Sequence, residues 1–352
     1  MVKMMLKSFA CVLGIALFVG CGEAILGPDE SNDPEHIFEL LWHDLDEHYA
    51  LFDVRGINWD SLYSEYRPKV TSTTTSEELR EVLSGLVEQL DDSHTILYGE
   101  RDGWTYTSGF TLGAKAIVEQ FNLTLIKSKY LGSFTEVSGE NNLSFGRIKN
   151  RDIGYVLLRE EGGADPEGAI KGVIDKLKEH KAIILDLRTN EGGSARYSKI
   201  IAGAFSDGEY LIGTLQTRNG PRHGDFDEKT DVTTQRTGSE QYLKPVIVLT
   251  NRATISAGEY LTLQMKSFGH VIHMGDTTAG DFSAISARSF LPNGWTYQYS
   301  VQMFLLPNGR SLDGVGIAPD VFVKNEKADI EWGTDKVLEN AVKYLFDNYG
   351  IE

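Results

Sequence analysis

Four short and almost entirely apolar segments recur in the second half of the chain, separated by stretches with helical periodicity. They lie at residues 153–158, 182–187, 246–250 and 271–274. Strands that are apolar on both faces need cover on both faces, which is typical of a parallel sheet with crossover helices. The sequence therefore predicts an α/β fold whose active site lies beyond the carboxyl ends of the strands.

The segments before this core predict two further units. Residues 34–98 are predicted as an N-terminal helical module, with Asp33-Pro34 starting one helix and a Thr75-to-Glu78 capping box starting another. Residues 99–150 contain short alternating runs, mainly at 110–129, and are predicted as a small β-rich insert. Residues 151–352 then form the α/β core with a C-terminal helix.

Charge and cysteine content exclude several classes of protein. The 352 residues contain 34 Lys and Arg against 51 Asp and Glu, a net charge of −17, which disfavours nucleic acid as a partner. Both cysteines, Cys11 and Cys21, lie near the N-terminus, so the rest of the chain can form neither a disulfide nor a cysteine-based metal site.

The N-terminus predicts export. Lys3 and Lys7 precede an apolar stretch at residues 8–20 that is too short to span a bilayer, as in a secretory signal peptide of residues 1–20. The small Gly20 before Cys21 resembles a bacterial lipoprotein signal, with Cys21 as the lipidated residue and residues 21–33 as a tether. The alternatives are ordinary secretion and a simple N-terminal anchor. We expect a lipid-anchored protein of the cell envelope.

Residues at two strand exits could carry chemistry. Ser256 follows the third strand at the start of a helical pattern, where the Ala257 amide and the helix dipole would stabilise an oxyanion. A plain N-cap is the more common role for such a serine. The pair Gly192-Gly193 follows the second strand and matches neither phosphate-binding fingerprint, so a turn with positive φ explains it as well.

A nucleophilic serine needs a base and an orienting carboxylate. Of the eight histidines, His94 stands out because it follows an amphipathic helix where a short β run begins, whereas the others read as surface or core residues. Asp313 lies in a glycine-rich turn and could orient His94, although an Asp-Gly turn accounts for it equally well. No histidine spacing matches a metal site, and the sequence calls for no cofactor.

Five motifs in order resemble one family. They are LDDSH (90–94), ILDLRTNEGG (184–193), NRATISAGE (251–259), GDTTAG (275–280) and DGVGIAPD (313–320). Together they resemble serine peptidase family S41, the C-terminal processing proteases and the tricorn core. The resemblance implies a fold related to the crotonase and ClpP-like α/β core.

The resemblance also implies roles for individual residues. Ser256 is the expected nucleophile, and the backbone amides of Gly192 and Ala257 form the expected oxyanion hole, with Gly193 as the alternative to Gly192. Ser93-His94 matches the tricorn-like Ser-His pair, and Asp313 stands where that branch carries a glutamate.

The chain departs from the processing branch in two respects. That branch places a lysine base after the T-x-G segment, where this chain has Asp281. For the orienting role, Asp281, Glu259 and Asp320 remain alternatives to Asp313. The branch commonly carries a PDZ domain, and residues 99–150 are too few for a complete one.

The resulting expectation is an extracytoplasmic serine endopeptidase acting on peptides or unfolded proteins, with membrane contact through its lipid. The alternative is a non-catalytic binding lipoprotein for apolar or peptide ligands on the same fold. The sequence leaves the oligomeric state open.

Overall fold

The computed structural model of the chain describes residues 31–137 and 142–352. The strands are β1 (Ile96–Gly99), β2 (Trp104–Thr107), β3 (Leu131–Glu136), β4 (Leu143–Ile148), β5 (Ile153–Leu158), β6 (Ala182–Asp186), β7 (Tyr210–Thr217), β8 (Thr230–Thr234), β9 (Val246–Thr250), β10 (Val271–Gly275), β11 (Ser289–Phe290), β12 (Thr296–Gln298), β13 (Gln302–Leu305) and β14 (Val321–Phe322). The α-helices longer than one turn are α1 (Pro34–His48), α2 (Phe52–Arg55), α3 (Trp59–Tyr66), α4 (Ser76–Glu88), α5 (Thr111–Gln120), α6 (Pro166–Leu177), α7 (Ala195–Gly203), α8 (Ala257–Lys266), α9 (Lys327–Glu331) and α10 (Lys336–Tyr349). Single helical turns occur at Arg67–Lys69, Leu123–Leu125 and Ile126–Tyr130.

Seven strands form the central sheet, in the order β14-β10-β9-β6-β5-β4-β3. The pairs from β5 to β14 are parallel, whereas β3, β4 and β5 pair antiparallel. The α/β class and the four apolar strands predicted from the sequence are confirmed.

Alternate residues of these strands serve two separate cores, as the two-residue period of a strand requires. On one face Val156 and Leu185 pack with helices α6, α7 and α8. On the other face Tyr155 and Ile184 pack with α10. Cover on both faces is the reason these strands are apolar throughout.

The predicted N-terminal helices are confirmed. Asp33 caps α1 through its side chain, and the Thr75–Glu78 capping box starts α4. Helices α1 to α4 share one core with Trp295 and Tyr297. Tyr297 lies in β12 of a four-stranded sheet of order β11-β12-β1-β2, and Trp295 directly precedes that strand. A late hairpin of the chain therefore completes the core of its first helices.

The expectation of strands at residues 110–129 is wrong. This stretch contains α5 and two helical turns, and α5 buries Gly113, Ala116 and Gln120 at helical spacing. The two strands that follow, β3 and β4, extend the central sheet, so they do not form a separate β-rich insert. Short apolar runs broken by Gly and Asn fit a helix and a strand equally well until tertiary packing selects one.

Buried ion pairs connect the C-terminal helix to the central sheet. Arg188, at the exit of β6, donates to Asp186 and, at 2.8 Å, to Asp335, the N-cap of α10. All three side chains are buried. Arg188, in the ILDLRTNEGG motif (184–193), thus has a structural role.

The predicted signal peptide, Cys21 and most of the predicted tether lie outside the described residues. Within 31–137 and 142–352, no helix is long and apolar enough to cross a bilayer.

Candidate active site

Ser256 occupies an unusual backbone conformation at the N-terminus of α8. Its φ and ψ are 57° and −121°, a region that residues with a Cβ rarely adopt. Such strain persists only where the surroundings enforce it, and it is concentrated at functional sites. Here the Ser256 amide donates to the Glu259 carboxylate at 3.2 Å, which fixes the turn into the helix.

The glycine pair after β6 lies directly against Ser256. A Cβ on Gly192, whose φ is +84°, would stand 2.6 Å from Ser256 Cβ, and one on Gly193 would stand 2.5 Å from the Glu161 carbonyl oxygen. Only glycine allows this approach of the loop to the serine.

The two glycine amides face different ways. Gly192 N–H donates to Asn190 Oδ1 at 2.9 Å. The residues flanking Gly193 make the parallel bridge to Glu161, so the Gly193 N–H points away from that bridge. Of the two alternatives left open by the sequence, the Gly192 amide is therefore engaged by Asn190, and the Gly193 amide is not used by the bridge to Glu161.

The buried side chains of Asn190 and Glu161 stabilise the loop that carries Gly192 and Gly193. Asn190 Nδ2 donates to Glu161 Oε1 at 3.1 Å and to the Leu158 carbonyl at 3.2 Å. Burial raises the pKa of Glu161 to about 8. Sequence reasoning missed both roles, because Glu161 lies outside every motif and Asn190 reads only as part of a turn.

Glu259 is the centre of a second hydrogen-bond network. Its carboxylate accepts from Thr278 Oγ1 at 2.6 Å and from the Gly280 and Asp281 amides at 2.8 Å each, besides Ser256. Burial, and then the Asp281 charge, raise the pKa of Glu259 to about 8, against the effect of these donors. Glu259 thereby joins the turn at Ser256 to the loop after β10.

That loop connects to the Ser93-His94 segment. Asp281 Oδ2 accepts from Ser93 Oγ at 2.7 Å, so Ser256, Glu259, Asp281 and Ser93 form a continuous chain of hydrogen bonds. Residues 163 positions apart in sequence thus belong to one network. His94, next along the chain, is partly exposed.

In the described parts of the chain, no hydrogen bond joins the side chains of Ser256, His94 and Asp313 to one another. His94 Nδ1 is buried and has no partner within the described parts of the chain. Asp313 is buried, and its oxygens accept from the Phe282 amide at 2.9 Å and from Ser311 Oγ at 3.1 Å. Burial raises the pKa of Asp313 to about 7.

Arg55 supplies the positive charge of this region. It reaches from the end of α2 to the Asp281 carboxylate, donates to the Gly280 carbonyl at 3.0 Å, and lies 3.9 Å from Asp92. Its charge also lowers the pKa of Asp313, against the larger effect of burial. Sequence reasoning missed Arg55, since nothing in the N-terminal helices marks it as reaching the core.

Asp320, one of the alternative orienting carboxylates, lies elsewhere. It pairs with Lys266, which closes α8 about 15 Å of helix axis from Ser256. Asp320 also accepts from the His273 amide at 2.9 Å. Asp320 is therefore held at the far end of the helix.

A pocket of about 460 Å³ opens beside Ser256. It lies between α7, α8 and strands β7 and β8, and Ser256, Gly193 and Ala257 contribute to its lining. The described residues contain no group of three His, Cys, Asp or Glu side chains arranged to hold a metal ion.

Two protein-family models match parts of this chain. Residues 152–323 match the model of peptidase family S41, and residues 31–88 match the tricorn protease C1 domain. The chain belongs to peptidase family S41.

Individual relatives cover different shares of this S41 chain. A carboxy-terminal-processing protease of Bartonella bacilliformis is 28% identical over 195 residues, 53% of this chain and 42% of that protein. A tail-specific protease of Haemophilus influenzae is 29% identical over 215 residues, 58% of this chain and 28% of that protein. The chain thus spans less than half the length of these curated relatives.

A solved structure matches over a greater length. A candidate peptidase from Parabacteroides merdae has a TM-score of 0.78 and 29% identity, covering 90% of this chain and 97% of that one. The fold shared with that structure therefore extends through the N-terminal helices as well as the sheet.

The contact between Gly192 and Ser256 gives a first prediction. Gly192→Ala should reduce labelling of Ser256 by a fluorophosphonate on the order of 10²-fold, because the new methyl displaces the serine. The measurement is the labelling rate followed by mass spectrometry.

Gly238→Ala is the matched control. Gly238 also has a positive φ, +75°, but a Cβ there would meet nothing within 4 Å. Gly238→Ala should keep wild-type labelling and lose only the small stability that a positive φ costs. Gly192→Ala adds the contact with Ser256 and should lose more, so labelling is compared at a temperature where both variants are folded. Equal labelling of the two variants would contradict the proposed packing of the loop on Ser256.

Proposed function

We propose that this chain is an extracytoplasmic serine endopeptidase that hydrolyses peptide bonds in peptides or unfolded proteins, with Ser256 as the nucleophile. The supporting observation is the enforced backbone conformation of Ser256, at a helix N-terminus and on the wall of a pocket. A serine that served only as an N-cap would not need such strain. Membership of family S41 supports the same reaction.

His94 is the proposed general base. It takes the Ser256 proton during attack on the peptide carbonyl and returns it to the leaving amine. The unpaired and buried Nδ1 supports this role, because in a triad this nitrogen is the one that donates to the orienting carboxylate while Nε2 takes the serine proton. The network through Ser93, Asp281 and Glu259 ties the His94 segment to the Ser256 turn.

Asp313 is the proposed orienting carboxylate, with Asp281 as the alternative. Both acids lie near Arg55, and Asp281 already receives the Ser93 hydroxyl. In the proposed active arrangement Asp313 exchanges one of its present donors for His94 Nδ1–H and stabilises the imidazolium. The amides of Gly193 and Ala257 hold the oxyanion.

The nucleophile is tested by substitution. Ser256→Ala should abolish fluorophosphonate labelling and lower turnover of an unfolded protein substrate on the order of 10⁶-fold, while thermal unfolding stays the same. Ser267→Ala, at the other end of α8, is the control and should keep both activities. A folded wild-type protein that neither labels nor cleaves would instead support a binding protein on this fold.

The orienting carboxylate predicts a pH dependence. Because the pKa of Asp313 is raised to about 7, this carboxyl is protonated below pH 7 and cannot stabilise an imidazolium. We expect kcat/KM to fall as the pH drops through about 7. Asp313→Asn should lower turnover roughly 10²- to 10⁴-fold and change the position of this limb of the profile, because the base still has to be unprotonated.

Asp281→Asn is the comparison for that profile. If Asp313→Asn stays active with an unchanged profile while Asp281→Asn does not, the orienting role belongs to Asp281. The assignments of Ser256 and His94 would survive that result.

Membrane attachment is a separate part of the proposal. The apolar stretch at residues 8–20 ends in Gly20 and is followed by Cys21. This pattern supports the proposal that the chain is a lipoprotein tethered by a diacylated Cys21. Cys21→Ser should release the protein from the membrane fraction, as measured by fractionation and metabolic fatty-acid labelling. Retention of an unlabelled Cys21→Ser protein on membranes would contradict lipid anchoring.

A further inference from the structure

The pocket beside Ser256 has room for one substrate side chain next to the scissile bond. Its volume is about 460 Å³, and Ser256, Gly193 and Ala257 form part of its wall. What it selects depends on its other walls. This inference rests on the proposed peptidase function.

Much of the wall is apolar. Leu215, Val232, Tyr260, Phe282 and Ala284 line the pocket, with Tyr260 and Phe282 buried. These side chains suit the methylene stem of a substrate residue. They do not explain the polar groups among them.

Gln264 is the first polar group. It lines the pocket, only 2% of it is exposed, and its Oε1 has no hydrogen-bond partner within the described residues. A buried side-chain amide left unpaired is costly, and a ligand that bonds to it removes that cost. As placed, the unpaired Oε1 can only accept a hydrogen bond. Rotation of the amide about the last side-chain torsion puts the NH₂ in its place, where it can donate to a carboxylate. An apolar substrate side chain would leave it unpaired.

Two cations on α7 are the second polar feature. Arg196 and Lys199 lie one turn apart and both line the pocket. Neither makes an ion pair with any carboxylate in residues 31–137 or 142–352, and Lys199 Nζ has only a 3.4 Å contact to Thr233 Oγ1. Asp231 is the acidic residue on this wall; Asp231 and Arg196 are exposed, and Lys199 is half-buried. The lining therefore carries a net positive charge in a protein whose net charge is −17.

We propose that this pocket binds an acidic side chain of the substrate beside the scissile bond. Its carboxylate pairs with Lys199 and Arg196 and accepts a hydrogen bond from the Gln264 NH₂, while its stem packs on Leu215 and Phe282. A basic side chain would meet two like charges, and a neutral amide would gain the hydrogen bond without the ion pairs. The expected order of preference is glutamate, then glutamine, then leucine, then lysine.

The test begins with cleavage-site mapping. A proteome-derived peptide mixture is digested with the wild-type protein, and mass spectrometry identifies the position at which acidic residues are enriched. Four matched peptides carrying Glu, Gln, Leu or Lys at that position are then compared by kcat/KM. We expect the Glu peptide to exceed the Gln peptide on the order of tenfold, with the ratio falling at high ionic strength.

Variants of the lining assign the effect. Lys199→Gln should lower the Glu-to-Leu ratio of kcat/KM about tenfold, and Arg196→Gln should lower it in the same direction. Asp231→Asn should raise the ratio. Lys176→Gln, an exposed lysine on α6, is the charge-matched control and should leave the ratio unchanged. Equal loss on every peptide in Lys199→Gln would overturn the proposal, since it would make Lys199 part of the general machinery.

The failure of this inference can be told apart from the failure of the proposed function. Cleavage without an acidic preference overturns the pocket assignment and leaves the peptidase intact. If no peptide is cleaved, fluorescence anisotropy measures binding of the four peptides to Ser256→Ala protein. Tighter binding of the Glu peptide then supports the pocket, and equal or weaker binding refutes it.

Discussion

The buried carboxylate of Glu259 is the interaction on which the candidate site depends. It accepts hydrogen bonds from the Ser256 amide and from three donors of the loop after β10. Without it, those donors would be buried and unpaired, and the Ser256 amide would lose the acceptor that helps to fix its strained turn. One side chain thus couples Ser256 to the segment that carries Asp281, and through Asp281 to Ser93.

The second constraint is the charge balance around Arg55. This arginine, from the N-terminal helices, lies among the carboxylates of Asp92, Asp281 and Asp313, which belong to three different segments. Leaving such carboxylates buried without a cation would cost several kcal/mol. The helical module is therefore an electrostatic component of the site as well as a separate core.

Patterns within one element were readable from the sequence. The apolar strands β5, β6, β9 and β10 and the capped helices α1 and α4 follow directly from periodicity and end signals. Residues 110–129 were misread because a short apolar run fits either period. The roles of Glu161 and Arg55 were not readable at all, since each acts on a residue far away in the chain. The orientation of the Gly193 amide was not readable either, since it depends on the bridge to the distant Glu161.

The sequence by itself determined the fold class, the family and the residue types available for chemistry, because these depend on local periodicity and on ordered motifs. Only the tertiary structure decided which glycine amide faces outward, which carboxylates share Arg55, and which side chains surround the pocket beside Ser256. The physical reason is that hydrogen bonding and desolvation act between groups adjacent in space. Ser93 and Asp281, 188 residues apart, are such a pair, and only folding brings them within 2.7 Å.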